Sequence, residues 1–345
     1  MRRWAVAAGA LAVVGATAVV LAGRGGHCEG VALRSGATAQ VPVDGRPDVG
    51  GGGVGGLRRA FRDQQVAYCD DFADPFVLVV GGVHYAYSTS SGDRHVPVLT
   101  AGSLFRGASL GDALPTLPAW AAQSPSLVWA PSVLARPGGF VLYYTVGAPD
   151  GRQCISVARS EDPAGPFVDR SSGPFICPDP GGAIDPSPFV APNGRVFLQW
   201  KSIDDGLIVA SELTADGLRL VGSAQPLVGA DKPWEAGVVE GPTMVADGRR
   251  YYLFYSGNDW RTANYAVGYA VCDAPLGPCR KPASGPWLAS SDDAQGPGGP
   301  EVFRDADGLW MVVHAWVGGH VGYPDGARTM FVLRLAFTRS GPVAV

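Results

Sequence analysis

Charge is what this 345-residue chain has least of: Asp, Glu, Lys and Arg make up 17% of it, and the net charge is only −4. A helical bundle would be richer in Glu, Lys and Arg, and a protein built to hold nucleic acid or an anionic membrane would carry a basic excess. Cysteine is sparse too. There are six, none in a Cys-x-x-Cys metal pattern. What the chain has in plenty is glycine (49) and proline (29), with 46% hydrophobic residues. That balance suits an all-β protein with many tight turns and a packed core.

The ends and the cysteines point outside the cytoplasm. Arg2 and Arg3 precede an uncharged stretch from Trp4 to Ala22, closed by Arg24, with small residues around Val20-Leu21-Ala22 where a peptidase would cut. Residues 1–22 are expected to be a signal peptide or an N-terminal membrane anchor. Residues 23–60 are polar and Gly-rich, including Gly50-Gly51-Gly52-Gly53, and read as a flexible linker. The body of the protein, 61–345, is then secreted or tethered outside. Cys272 and Cys279 flank a short Pro/Gly turn and look like a hairpin staple, which the chain-entropy model values at roughly 2–3 kcal/mol. Cys154 with Cys177 is the next most natural pair, leaving Cys28 for Cys69. Other connectivities stay open.

Beyond the linker the chain repeats. Five times, Pro is followed by alternating apolar residues, a Gly-containing turn and an aromatic-rich strand. Examples are Asp74-Pro75-Phe76-Val77-Leu78 with Val83-His84-Tyr85-Ala86-Tyr87, and Gly241-Pro242-Thr243-Met244-Val245 with Tyr251-Tyr252-Leu253-Phe254-Tyr255. Aligned on Pro75, Pro131, Pro188, Pro242 and Pro300, each unit has room for about four strands, the content of a propeller blade. A β-sandwich also has Asn-Gly and Asp-Gly hairpins, but offers no reason for one signature to recur five times at one interval. The expected fold is an all-β, five-bladed β-propeller.

Proline cannot donate to a strand ladder, so each repeated Pro is expected near the head of the innermost strand of its blade. The residues just before it should then face one another across the funnel. Three of them are acids: Asp74, Asp185 and Glu240, with Ala130 and Gly299 in the other two blades. Any one Asp before Pro could be a turn initiator. Three together would repel, and burial would push their pKa values apart, which is how one site supplies both an acid and a base.

These segments resemble glycoside hydrolase family 43, the five-bladed propeller enzymes acting on arabinan, arabinoxylan and xylo-oligosaccharides. The matching stretches are Ala73-Asp74-Pro75-Phe76-Val77, Val128-Trp129-Ala130-Pro131-Ser132-Val133, Ala183-Ile184-Asp185-Pro186-Ser187-Pro188-Phe189, Val239-Glu240-Gly241-Pro242 and Val313-His314-Ala315-Trp316. They come in the family's order and cover about residues 66 to 340. The resemblance implies that Asp74 is the general base, Glu240 the general acid, and Asp185 the carboxylate that positions the acid and raises its pKa. It implies inversion in one displacement, with acid and base roughly 6.5–9.5 Å apart to admit a water. His314 resembles the family's histidine near the channel axis, where calcium is often found partly through water. Arg328 falls where the family often has an active-site arginine. Phe76, Trp129 and Trp260 offer flat apolar faces for sugar stacking. Many relatives carry an acid after the Trp-Ala-Pro of blade two, where this chain has Ser132.

The resemblance thus implies an inverting hydrolase of plant cell-wall arabinan, arabinoxylan or derived oligosaccharides, needing no cofactor for the chemistry, binding no nucleic acid and acting as a monomer. An endo-1,5-α-L-arabinanase is the leading reading, because the last blade ends close to Val345 with no obvious module beyond it. An α-L-arabinofuranosidase or β-xylosidase is the alternative, and a non-catalytic carbohydrate-binding propeller the rival from another class. Retaining fructan-type propeller enzymes usually show an Arg-Asp-Pro segment, which is absent here.

Overall fold

A computed structural model describes residues 65–102, 104–105, 108–122 and 127–345. The expected signal or anchor, the expected linker and Cys28 lie outside the described residues. The chain opens with β1 (Gln65–Tyr68), which pairs not with its neighbours in sequence but with the last blade. Blade one is β2 (Phe76–Val80), β3 (Val83–Tyr87), β4 (Pro97–Ala101) and β5 (Ser109–Asp112). Blade two is β6 (Val128–Arg136), β7 (Gly139–Gly147) and β8 (Gln153–Ser160). Blade three is β9 (Ala183–Val190), β10 (Val196–Ser202), β11 (Leu207–Leu213) and β12 (Leu220–Gly229). Blade four is β13 (Val239–Asp247), β14 (Arg250–Gly257), β15 (Ala266–Cys272) and β16 (Cys279–Arg280). Blade five is β17 (Gln295–Arg304), β18 (Leu309–Trp316) and β19 (Arg328–Thr338), with β1 and β20 (Gly341–Ala344) sharing the outer edge of β19.

β1 apart, the consecutive strands of each blade form an antiparallel meander, as short hairpin turns dictate. The two-residue turn between β2 and β3 is the pair Gly81-Gly82 with φ of 58° and 82°, the two left-handed residues that a hairpin of matching twist requires. Blade two departs from the expected four strands. Beyond Ser160 no further strand pairs with β8 among the described residues; the backbone returns to it in isolated bridges, Val168 to Arg159, Ile176 to Ile155 and Gly182 to Gln153. Pro163, Pro166 and Pro174 lie in that segment, and each removes a ladder donor.

The core is divided by the blades. Five apolar clusters lie one at each blade boundary; Tyr87, Val133, Leu142 and Tyr144 fill the boundary of blades one and two, and Val77, Leu99, Phe303 and Met330 that of five and one. A second strand such as β7 is therefore covered on both faces and reads as a near-continuous apolar run, Phe140-Val141-Leu142-Tyr143-Tyr144. Cys154 bonds Cys177 and Cys272 bonds Cys279, the latter joining β15 to β16 as a staple.

Candidate active site

The innermost strands β6, β9, β13 and β17 share one irregularity, and blade one repeats it just before β2. Two residues of the inner strand oppose a single residue of the second strand, between Trp129 and Ser132, Ile184 and Ser187, Glu240 and Thr243, and Gly298 and Glu301. The first residue of each bulge has positive φ: Asp74 (50°), Ala130 (42°), Asp185 (59°), Gly241 (56°) and Gly299 (56°). The second is always proline, at 75, 131, 186, 242 and 300. A bulge bends the strand and re-aims a side chain, and proline fits because the extra residue has no ladder bond to make.

This register corrects two expectations. The third repeat aligns on Pro186, not Pro188, so Asp185 is in step with Asp74. Glu240 is the residue that is out of step. It lies one position before the left-handed residue, level with Ala73, Trp129, Ile184 and Gly298, and Gly241 holds the slot that Asp74 and Asp185 hold in their blades. The three acids therefore do not occupy equivalent positions.

The bulges are tied in a ring. Each left-handed N–H donates to a side chain of the preceding blade: Ala130 to Thr89 Oγ1 (3.0 Å), Asp185 to Thr145 Oγ1 (3.1 Å), Gly241 to Asp185 Oδ2 (2.9 Å), Gly299 to Ser256 Oγ (2.9 Å) and Asp74 to His314 Nδ1 (2.9 Å). Gly299 could be little else, because a Cβ there would fall 2.8 Å from His314 Nδ1 and 3.0 Å from the Asp74 Cα.

Above the ring opens a cavity of about 530 Å³, within the range of small-ligand clefts. Asp74, Asp185 and Glu240 line it together, and so do Phe76, Trp129, Trp260 and Arg328. The expected residues thus converge, with His314 fully buried beneath them.

The three carboxylates have different surroundings. Burial works against ionisation of Asp74, yet the Arg328 guanidinium, 3.6 Å away, and the Thr89 hydroxyl, donating at 2.6 Å, hold its carboxyl below the usual range. Burial, then the charges of Glu240 and Asp74, push the Asp185 carboxyl up, against a single backbone donor from Gly241. Glu240 accepts from Tyr265 Oη at 2.9 Å and from Lys201 Nζ at 3.1 Å.

Arg328 is fixed as well as buried. Its guanidinium lies 4.7 Å from the Trp260 ring centroid and 5.7 Å from that of Tyr323, and Nε donates to Tyr323 Oη at 3.2 Å. Tyr323 Oη and the Arg328 backbone N–H both donate to Asp71 Oδ1, at 2.7 and 2.9 Å. Trp260 is therefore occupied by Arg328 on one face, while Phe76 is largely buried against Tyr87 at the funnel wall.

Sequence reasoning missed Lys201, Tyr265, Thr89 and Tyr323, which reach the site from second strands and loops where no motif marks them. It also passed over Glu301. This residue opposes Val312 just after the bulge of blade five, as Ser132 opposes Tyr143 in blade two. The acid missing after Trp-Ala-Pro therefore stands at the equivalent position of blade five, lining the same cavity. Burial pushes its carboxyl up to about 8, with the Thr243 hydroxyl as its hydrogen-bond partner.

The calcium expectation at His314 does not fit the donor set. Nδ1 accepts the Asp74 N–H, so the neutral ring carries its hydrogen on Nε2 and presents a donor there, not a lone pair. Burial pulls the imidazole down to about 3, so it is neutral at ordinary pH. Among the described residues no three His, Cys, Asp or Glu side chains are grouped for a metal, and calcium prefers oxygen ligands.

The sequence pattern of the glycosyl hydrolases family 43 matches residues 68–343. The chain belongs to that family, whose members hydrolyse glycosidic bonds with inversion. It is 31% identical over 163 residues to a β-D-galactofuranosidase, XynD, of Aspergillus niger, covering 44% of this chain and 45% of that one. It thus spans less than half of that relative. With a probable arabinan endo-1,5-α-L-arabinosidase B of Aspergillus fumigatus it shares 25% identity over 295 residues, 70% of this chain and 77% of the other. A thermostable family-43 glycoside hydrolase of known structure superposes with a TM-score of 0.71 at 28% identity, covering 79% of this chain and 92% of that one.

Proposed function

We propose that the enzyme hydrolyses α-L-arabinofuranosyl linkages, with Asp74 as general base, Glu240 as general acid and Asp185 holding the acid in place. The observation that carries this is the opposed environment of the carboxylates. Asp74 is kept ionised by Arg328 and Thr89, as a base must be. Asp185 is pushed the other way, by burial and by the charges of Glu240 and Asp74, so it favours its protonated form beside the acid. In the displacement, Asp74 takes a proton from water as the water oxygen attacks the anomeric carbon. Glu240 gives its proton to the leaving oxygen, which departs with the electron pair of the broken bond. Solvent then returns a proton to Glu240 and removes one from Asp74.

The leading substrate is linear 1,5-arabinan cut internally, by similarity to the Aspergillus fumigatus relative. The Aspergillus niger relative favours a second reading, exo-cleavage of a terminal furanoside. β-D-Galactofuranose and α-L-arabinofuranose share their ring configuration and differ only in the exocyclic carbon, so one funnel could admit either. The N-terminal apolar segment and the two disulfides support a place outside the cytoplasm.

The test is a panel of linear arabinan, arabinoxylan, and 4-nitrophenyl arabinofuranoside, galactofuranoside and xyloside. Oligosaccharide ladders from arabinan, with a first product of inverted anomeric configuration by NMR, are expected. Release of monosaccharide alone would replace the endo reading with the second one. Turnover of the xyloside without the arabinofuranoside would overturn both. Asp74→Asn is expected to abolish turnover of whichever substrate is cleaved.

A further inference from the structure

One position of the inter-blade ring breaks its own rule. Level with the bulges, the second strands present Thr145, Ser256 and His314, and blade one presents Thr89 just past β3; each accepts the N–H of the next blade's left-handed residue. The fifth such position, in blade three, is Lys201, paired with Ile184 as Thr145 is paired with Trp129. An ammonium has no lone pair, so it cannot take the N–H of Gly241. Asp185 Oδ2 takes it instead, at 2.9 Å. Lys201 in turn reaches over the boundary to Glu240 Oε2 at 3.1 Å, with both side chains only 14% exposed.

This arrangement does two things at once. It draws one oxygen of Asp185 into the backbone ring, fixing the carboxylate beside the acid. It also sets a cation against the oxygen pair that must become negative when the acid spends its proton. Tyr265 holds the other oxygen of Glu240. Its ring is stacked 6.0 Å from His314, and it has room because residue 298 is glycine, where a Cβ would fall 1.9 Å from the ring. Glu240 is thus gripped on both oxygens, from blade three and from blade four.

We propose that Lys201 is a positioning residue for the general acid, holding Glu240 at the blade three–four boundary and stabilising the carboxylate left when its proton passes to the leaving oxygen. The proposal rests on the reading of Glu240 as the acid. The step itself is unchanged: the Glu240 O–H bond breaks, the proton joins the glycosidic oxygen, and that oxygen leaves with the C–O electron pair. Lys201 keeps its own protons throughout. Its effect should therefore grow with the need for the acid and vanish where the leaving group needs no proton.

The experiment compares Lys201→Met, Lys201→Arg and Glu240→Gln on two aryl glycosides of the sugar or short oligosaccharide released in the panel above, one with a 2,4-dinitrophenyl and one with an unsubstituted phenyl leaving group. Thermal melts of each variant come first; if Lys201→Met does not fold, Lys201→Gln takes its place. For Glu240→Gln the loss of kcat is expected to be far larger on the phenyl glycoside than on the dinitrophenyl one, as for removal of any general acid. Lys201→Met should show the same bias at smaller size, about tenfold, and the alkaline limb of its kcat/KM profile should move to higher pH. Lys201→Arg, which keeps the charge, should restore part of both. If Glu240→Gln shows no leaving-group bias, the acid assignment falls and the proposal with it. If Glu240→Gln shows the bias but Lys201→Met loses activity equally on both substrates with an unmoved alkaline limb, Lys201 is structural and the proposal alone is overturned.

Discussion

At the scale of single residues, Glu301 shows how an environment sets a charge. Its carboxyl is pushed up to about 8 by burial on the funnel floor, against 4.5 for a free glutamate, so it is neutral in the folded protein through most of the neutral range. Between those two values the unfolded chain binds fewer protons than the native one, so stability is lost as pH rises through that window and is fully present below it. Glu301→Gln keeps the shape and removes the titration. The difference in melting temperature, variant minus wild type, is expected to grow in the variant's favour from pH 4.5 to pH 8. A difference that stays flat across that range would show that Glu301 is not held neutral. Asp74 behaves in the opposite sense, held ionised by Arg328, and the contrast between these two acids in one cavity is a matter of partners, not residue type.

The element that organises the site is the bulge, not the strand. Each left-handed residue leaves its N–H unable to join the sheet ladder, and a buried N–H without a partner is costly. The ring of side-chain acceptors meets that need and ties each blade to the next at the level of the chemistry. Asp and Gly tolerate the left-handed region, whereas Ala130 at φ 42° carries strain of about 1–3 kcal/mol that the surrounding blades must offset. Thr145→Val keeps the shape of Thr145 and orphans the N–H of Asp185. It is expected to cost about 1–3 kcal/mol. Urea denaturation should report this as a lower midpoint with an unchanged m value. An unchanged midpoint would mean that the N–H has found another acceptor and that the ring is not a fixed feature.

Over the whole molecule, closure joins the two ends of the described chain. β1 pairs with Met330–Val332 of β19, and β20 with Leu335–Thr338 of the same strand, so segments from both ends cover the outer edge of the last blade. Inward of this, His84 of blade one meets Asp305 of blade five at 3.1 Å, both nearly buried, with Phe105 and Phe303 edge-on to the imidazole. The Phe72 N–H also donates to the Arg328 carbonyl at 2.9 Å, linking closure to the arginine that faces Asp74. Removal of residues up to Tyr68 should therefore lower the melting temperature and expose the edge of β19. If calorimetry finds the truncated protein as stable as the full chain, β20 and the His84–Asp305 contact alone close the ring.

The sequence by itself determined the five-fold repeat, the all-β class, the Cys272–Cys279 hairpin staple and the acids that meet in the funnel. These are legible because hairpin turns, Pro punctuation and apolar alternation are local, and local chemistry is written in consecutive residues. The register of the bulges was not legible. Blade three offers two prolines, Pro186 and Pro188, and only backbone conformation tells which one follows the left-handed residue. The same holds for Lys201, Tyr265 and Glu301, whose roles depend on which side chain of one blade lies opposite which backbone of the next. That is a property of packing between blades, set by contacts far apart in the chain, and only the tertiary structure decided it.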